Sequence, residues 1–362
     1  MTERATRRQF VQAALGAPTL LSLAHRAGAR PAESAPIKVG QIGTKHAHAN
    51  GHLRTLLKYP QHFEVVGVVE PDPEQRRREG GEKPYAEQKW LTEEQLLATP
   101  GLQAVAVETE VRDLLPTAQR CLDAGMHVHL DKPAGESFPA LERLHATAAV
   151  KGLTIQMGYM YRFNPAFRFV FQAVAAGWLG RVFEIHGVMS KTIGAESRRA
   201  LAEYPGGSMF ELGCHLIDPL LHMMGPPDRV TGFPRRTRPE QDDLVDNGLA
   251  VLEYPRATAT VRSAVVEVDG MRRRQFVVCG DQGTVVIRPL EPPRLELTLR
   301  EARGESRKGT QVVDLPEAPG RYDGAWLDFA RVIRGEKTHD FSHEHDLAVQ
   351  RALLTACRLS LE

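Results

Sequence analysis

Three residues in the second half of the chain have the types and spacing of a proton-transfer site. Glu211 and His215 stand four apart, and His215 and Asp218 three apart. On a helix all three share one face. A carboxylate beside an imidazole fixes its tautomer and raises its basicity, so the pair can take a proton from a hydroxyl near neutral pH. Gly206 and Gly207 precede them and allow a close backbone approach. The plain alternative is a buried polar helix start in which His215 is hydrogen-bonded inside a core.

A second set of polar residues sits at the ends of apolar runs. Thr44 and Lys45 follow Ile37–Ile42, and Glu70 and Asp72 follow Phe63–Val69. Glu108 and Thr109 follow Ala104–Val107, and Asp131 and Lys132 follow Met126–Leu130. A cleft lined by all of them explains the pattern better than chance. Gly43-Thr44-Lys45-His46-Ala47-His48 occupies the place of a GxGxxG dinucleotide fingerprint and keeps only its first glycine. Gly43 permits the tight turn. Lys45 replaces the glycine that lets a backbone approach a pyrophosphate, and its own charge or the helix N-terminus can meet phosphate instead. Glu70 is placed to accept from ribose hydroxyls and to repel a 2′-phosphate, which favours NAD. Arg76-Arg77-Arg78 lies close behind and keeps NADP open.

His46, His48 and His52 invite a metal reading, since His48 and His52 share a helix face. A closed site needs further ligands, and no HExxH motif or Cys/His spacing supplies them. These histidines read as caps, surface residues or cofactor contacts, and no metal is expected. His343-Glu344-His345 reads the same way.

The elements that must position these residues fall into two groups. Up to Met157, strand-like runs, the last Leu153–Met157, alternate with helical patterns at His46–Tyr59, Leu114–Ala124 and Pro139–Val150. That alternation predicts a parallel sheet covered on both faces, with ligands at the carboxyl ends of its strands. Beyond Met157 the runs Val182–Val188, Leu249–Tyr254, Thr258–Val268, Gln275–Cys279 and Thr284–Ile287 predict a largely antiparallel sheet. Helices are expected at Pro165–Ala176 and Gly213–Met224, with Leu347–Leu361 packing back on the body. Arg235–Asp243 and Arg303–Lys308 read as exposed loops.

With 362 residues, 42% hydrophobic and 25% charged, the chain has ordinary globular proportions and room for two domains. A formal charge of +1 gives no electrostatic case for nucleic acid. Four cysteines without a CxxC pair make no disulfide framework. Thr6-Arg7-Arg8-Gln9-Phe10-Val11-Gln12 is similar to a twin-arginine signal. The mildly apolar stretch Phe10–Ala24 follows, then small residues at Ala27-Gly28-Ala29 and Ser34-Ala35. Residues 1–35 are therefore read as an export signal, residues 36–157 as a dinucleotide-binding domain and residues 158–362 as a substrate and oligomerisation domain. The mature protein is expected in the periplasm or outside the cell. No later apolar run reaches the length (about 18 residues) that crosses a bilayer, so no membrane partner is expected.

Over residues 36–362 the sequence resembles the glucose-fructose oxidoreductase / inositol dehydrogenase / MocA family. The marks are Asp131-Lys132-Pro133 after a strand, Tyr161-Arg162-Phe163-Asn164-Pro165, and Gly-Gly followed by Glu211-x-x-x-His215-x-x-Asp218. The resemblance implies a Rossmann domain, then an α/β domain with a large open sheet. It implies bound NAD, or NADP, and a sugar, polyol or related substrate. Carried over residue by residue, Lys132 meets the reacting oxygen and His215 is the general base. Glu211 orients His215 or binds a neighbouring hydroxyl, Asp218 supports from behind, and Arg162 and Asn164 contact substrate or nicotinamide. Gly43, Thr44, Lys45, His46, Glu70, Asp72, Thr109, Asp131 and Lys132 fall on the cofactor side. The open sheet implies a homodimer or homotetramer.

Four positions depart from the family pattern. Lys45 and His48 replace glycines, Asp131 replaces Glu, and Glu211 replaces Asp. Two other readings stand beside an exported oxidoreductase acting on a hydroxyl or keto group. One is a redox-neutral glycoside hydrolase or keto-sugar lyase or hydratase with tightly held NAD. The other is a non-catalytic sugar-binding protein.

Overall fold

The computed structural model describes residues 35–317 and 320–362. The segment read as an export signal lies outside them, save Ala35.

The short β-branched runs of the first half become β1 (Ile37–Ile42), β2 (Phe63–Val69), β3 (Leu102–Val107), β4 (His127–Leu130) and β5 (Ile155–Met157). All pair in parallel, in the order β2-β1-β3-β4-β5. The chain passes from β1 to β2 on one side and returns from β2 to β3 on the other, which opens a crevice at the strand ends between β1 and β3. Helices Ala49–Lys58, Val111–Asp123 and Phe138–Lys151 connect strands as the apolar spacing predicts.

A helix that packs on this sheet was not legible in sequence. Helix Asp323–Ile333 comes from the far end of the chain and packs on this sheet. Its Trp326, Phe329 and Ala330 share a buried cluster with Ile37, Val39, Leu56, Ala104 and Ala106. Burying each of the two large rings contributes roughly 2–3 kcal/mol. The core of the first domain is thus completed by a segment that chain order assigns to the second.

The second half folds into β6 (Val182–Ser190), β7 (Arg229–Arg235), β8 (Asn247–Tyr254), β9 (Ala257–Ala264), β10 (Gln275–Gly280), β11 (Gly283–Leu290), β12 (Pro293–Leu299) and β13 (Gly309–Val313). The order is β13-β12-β11-β10-β6-β9-β8-β7, and only β6 and β9 run parallel. Three of these strands, β7, β12 and β13, were not expected. Their Arg, Pro, Gly and Gln residues dilute the β signal, and pairing at the sheet's ends supplies what propensity does not. Helices Pro165–Ala175 and Cys214–Met224 join the strands' apolar side chains in one core. The last helix, His343–Ala356, starts at the cap Ser342 and packs back on Cys214–Met224.

Candidate functional site

Strand β4 delivers Lys132 to the middle of the molecule, where its side chain is 1% exposed. Nζ donates to the Glu211 carbonyl at 3.1 Å and to Glu211 Oε2 at 3.3 Å. Desolvation works against the ammonium, but Glu211, with Cys214 and Asp131 adding, outweighs it and raises its pKa. Burial opposes charge on Glu211 too, yet Lys132 and then Lys191 hold that carboxyl down at about 2. Lys191 Nζ lies 3.6 Å from Glu211 Oε1. Sequence reasoning missed it, because a lone lysine after a strand carries no signal.

Glu211 and His215 do not meet as the spacing predicts. Residues Met209–Gly213 form a π-helical turn ahead of the regular helix. Its extra residue takes Glu211 out of helical register with His215, and the carboxylate bonds to Lys132. His215 is buried, and its Nδ1 has no hydrogen-bond partner among the described residues. Burial, followed by the Lys132 charge, pushes its pKa well below the usual value, so the imidazole is neutral at pH 7. The rings of Tyr161, His48 and Tyr159 surround it at centroid distances of 5.9, 6.3 and 6.4 Å.

The expected substrate residues Arg162, Asn164 and Asp218 each bond to other groups of the protein. Arg162 and Asp218 are both wholly buried and bond to each other, Nη2 to Oδ1 at 2.7 Å and Nε to Oδ1 at 3.0 Å. Arg162 also donates to Asp346 and stacks 4.1 Å from the Phe341 ring centre. Asn164 caps helix Pro165–Ala175 by accepting from Ala166 N–H at 3.0 Å. The Tyr-Arg-Phe-Asn-Pro signature therefore acts here as a core pin and a cap. Asp218 supports Arg162 and accepts from His345 at 3.0 Å, with no bond to His215.

At the end of β1, Gly43 adopts φ +92°, and a side chain there would come within 2.6 Å of the Glu108 backbone. The first glycine is therefore required by the adjoining strand end. A cavity of about 310 Å³ opens beside it, lined by Gly43, Lys45, Glu70, Asp72 and Thr109 among others. This cradle, which a Cβ at Gly43 would disrupt, fits the narrow entry of a dinucleotide, and its carboxylates suit ribose hydroxyls better than a 2′-phosphate. Each named residue also has a partner in the protein. Glu70 Oε2 accepts from Thr44 N–H and Oγ1, both at 2.8 Å. Asp72 caps helix Pro73–Gly80. Thr109 Oγ1 donates to the Glu110 carbonyl at 3.1 Å. Lys45 Nζ bridges Asp72 at 3.0 Å and Glu110 at 3.4 Å, tying together two turns that line the cavity.

Towards Lys132 the strand ends carry histidines and acids in place of glycine backbone. Asp131 Oδ2 lies 2.9 Å from His46 Nδ1 and 3.0 Å from His48 Nδ1. Burial opposes its charge, but His46 and His48 hold its pKa well below the carboxylate range. Behind them Glu108 and His129 are wholly buried. His129 at the strand centre was missed, since Met126–Leu130 reads simply as a buried strand.

Comparison with known proteins matches both halves. Residues 37–159 match the model of the "Oxidoreductase family, NAD-binding Rossmann fold", and residues 167–286 that of the "GFO/IDH/MocA C-terminal domain". The uncharacterized oxidoreductase YhhX of Escherichia coli is 28% identical over 53% of this chain, which spans 55% of that relative. D-xylose 1-dehydrogenase (NADP(+)) 2 of Haloferax volcanii is 28% identical, covering 72% of this chain and 78% of that protein. The NAD(+)-dependent scyllo-inositol 2-dehydrogenase of Bacillus subtilis is 24% identical, covering 84% and 86%. Among solved structures, the aldose-aldose oxidoreductase of Caulobacter crescentus with glycerol superposes with a TM-score of 0.74 at 21% identity, covering 89% of this chain and 98% of that one.

Proposed function

Because this chain belongs to the Gfo/Idh/MocA oxidoreductase family and carries its NAD-binding Rossmann domain, we propose that it interconverts a hydroxyl and a carbonyl on a sugar or polyol, with Lys132 and His215 as its acid/base groups. The carrying observation is the buried Lys132 ammonium, held charged by Glu211, beside a buried neutral His215. A nicotinamide, when bound, supplies the hydride chemistry. The protein's own groups do the rest. The ammonium stabilises negative charge on the substrate oxygen as it develops. The imidazole takes the hydroxyl proton, and returns it in the opposite direction. Glu211 keeps Lys132 charged and is about a quarter exposed, so it can also meet a neighbouring hydroxyl.

Gly43, Thr44, Lys45, His46, Glu70, Asp72, Thr109 and Asp131 form the cofactor side of this reading, and the two carboxylates favour NAD. The relatives named for D-xylose and scyllo-inositol support the substrate class. Arg162 and Asp218 act as supports of the site. The order of charge, apolar run and small residues at the N-terminus supports export through the twin-arginine route, and the open sheet supports a homodimer or homotetramer. The test is dinucleotide binding by the full chain, read by thermal shift, then turnover on sugars and polyols followed by nicotinamide absorbance. Binding of neither NAD(H) nor NADP(H) would sink the reading.

One observation favours a second reading. The Lys45 bridge to Asp72 and Glu110 straps the cavity, which suits a cofactor that stays in place. The reaction is then redox-neutral, and product accumulates with no net change in nicotinamide absorbance.

A further inference from the structure

The polar cluster at the ends of β1, β3 and β4 is not balanced as a structural network would be. His46 Nε2 lies 3.1 Å from the Lys132 carbonyl, and that contact requires a proton on Nε2. The His48 backbone N–H approaches its Nδ1 at 3.3 Å, a weak contact that a metal ion on that nitrogen would replace. In the neutral ring with its proton on Nε2, the single lone pair is at Nδ1. The Nδ1 lone pair then faces Asp131 Oδ2 at 2.9 Å and Glu108 Oε2 at 3.7 Å. Either a proton or a metal ion between Nδ1 and Asp131 satisfies that contact. His48 Nδ1 and His52 Nε2 approach the same Asp131 oxygen at 3.0 and 3.4 Å.

A second observation is independent of this tautomer argument. Both oxygens of Glu108, both nitrogens of His129 and Nε2 of His52 are buried without a hydrogen-bond partner among the described residues. Orphaned buried polar atoms are rare, and an ion or ordered water is their usual explanation. Here they converge. The ligating atoms of His46, His48 and Asp131 lie within 4.8 Å of one another, as do those of His52, Glu108 and His129. Donors bound to one metal ion at about 2.0–2.2 Å stand about 2.8–3.6 Å apart, in tetrahedral or octahedral geometry. The observed spacings around Asp131 fall in or close to that range.

We propose that His46, His48 and Asp131, backed by Glu108, bind a divalent transition-metal ion. Mixed imidazole and carboxylate donors suit zinc, manganese or ferrous iron. The contact from His46 Nε2–H to the Lys132 carbonyl is the outer hydrogen bond that fixes a ligating tautomer. His52 stands behind: its Nδ1 accepts the Trp326 indole N–H at 3.0 Å, which leaves its proton on Nε2. Sequence spacing pointed away from a metal because the carboxylate ligands come from other strands. The ion lies one residue from Lys132, and the His48 ring is 6.3 Å from that of His215. It is therefore placed to polarise a substrate hydroxyl or carbonyl oxygen beside the same proton-transfer groups.

The test uses the full chain, purified without chelator and analysed for metals. It is then stripped with dipicolinate and titrated with Zn²⁺, Mn²⁺ and anaerobic Fe²⁺ by thermal shift and calorimetry. We expect about one ion per chain and a raised Tm with at least one of the three. H46A and D131N should each weaken binding by on the order of 100-fold. H48A alters a partly exposed ring and serves if the others fail to fold. Less than about a tenth of an equivalent, with no thermal shift from any of the three, overturns the proposal. So does undiminished affinity in H48A. NAD(H) binding is measured on the same stripped protein. Dinucleotide binding without metal binding removes this inference and leaves the oxidoreductase reading standing, and the converse result does the reverse.

Discussion

Two buried clusters of carboxylates and imidazoles among the described residues are built on opposite principles. Around Asp218, one guanidinium sits between two aspartates. Arg162 bonds Asp218 through two nitrogens and reaches Asp346, with the Phe341 ring against its plane. One positive charge holds two negative ones there, and His345 adds a further hydrogen bond to Asp218. Around Asp131, two buried carboxylates face four imidazoles, and among the described residues no Arg or Lys head group pairs with them, because Lys132 turns away to Glu211. A closed ion pair holds structure. The second cluster leaves both oxygens of Glu108 and both nitrogens of His129 without hydrogen-bond partners among the described residues.

The largest expected effect tests the closed cluster. Arg162→Met leaves Asp218 and Asp346 buried without their main counter-charge, which costs about 3–5 kcal/mol. Denaturant unfolding should show that loss, with whatever activity remains having an unchanged KM. A variant of wild-type stability with a raised KM would instead restore Arg162 to the substrate and erase the contrast. Next come Lys132→Met and His215→Asn. Each should lower kcat/KM by on the order of 10³-fold while Tm moves little, since the lost interaction is made in the transition state. Wild-type-like turnover in either variant refutes the assignment of proton-transfer groups.

How far the sequence alone could reach follows the same division. Both sheets, and the strand ends that carry Glu70, Glu108, Asp131 and Lys132, were readable because period and β-branching are local signals. Glu211 with His215 was readable as spacing and misleading as contact, since a π-turn is not written in a spacing rule. Arg162 and Asn164 were legible as a motif but not in their partners. Asp346 lies 184 residues from Arg162, and no local pattern announces a pairing of that range. The metal-like cluster was half visible, in His46, His48 and His52. Its other half, Glu108, His129 and Asp131, is assembled only when β1, β3 and β4 lie side by side.

A smaller effect comes from pH. His145 sits at the margin of the closed cluster, its Nε2 4.0 Å from Asp346 Oδ2. Burial, partly offset by Asp346, lowers its pKa from 6.5 to about 4. The unfolded chain therefore takes up the proton first as pH falls. Stability from this group is complete above about pH 6.5, falls between 6.5 and about 4, and levels off below, a span of up to about 3 kcal/mol. Unfolding free energies measured across that window should drop for the wild type and drop less for His145→Gln. Equal slopes would show that His145 takes up its proton as readily in the fold as in the unfolded chain.

The smallest effect concerns Lys45, which belongs to neither cluster but lines the cavity beside Gly43. Its pairs with Asp72 and Glu110 are about a third exposed, so Lys45→Ala should change stability by less than about 1 kcal/mol. Asp72 stays anchored by the amides of Glu74 and Gln75. The consequence falls on binding. Glu70, Asp72, Glu93, Glu110 and Asp113 line that cavity, against only Lys45 and Arg120 as cations. Removing one of those two charges should weaken NAD(H) binding by about three- to tenfold and steepen its release, with kcat unchanged. The loss should shrink as salt is raised, because exposed charges are screened. If K45A releases dinucleotide faster but binds it as tightly at equilibrium, the lysine is a strap alone. If neither rate nor affinity moves, the pyrophosphate is read by the backbone beside Gly43, and the fingerprint works with its first glycine alone.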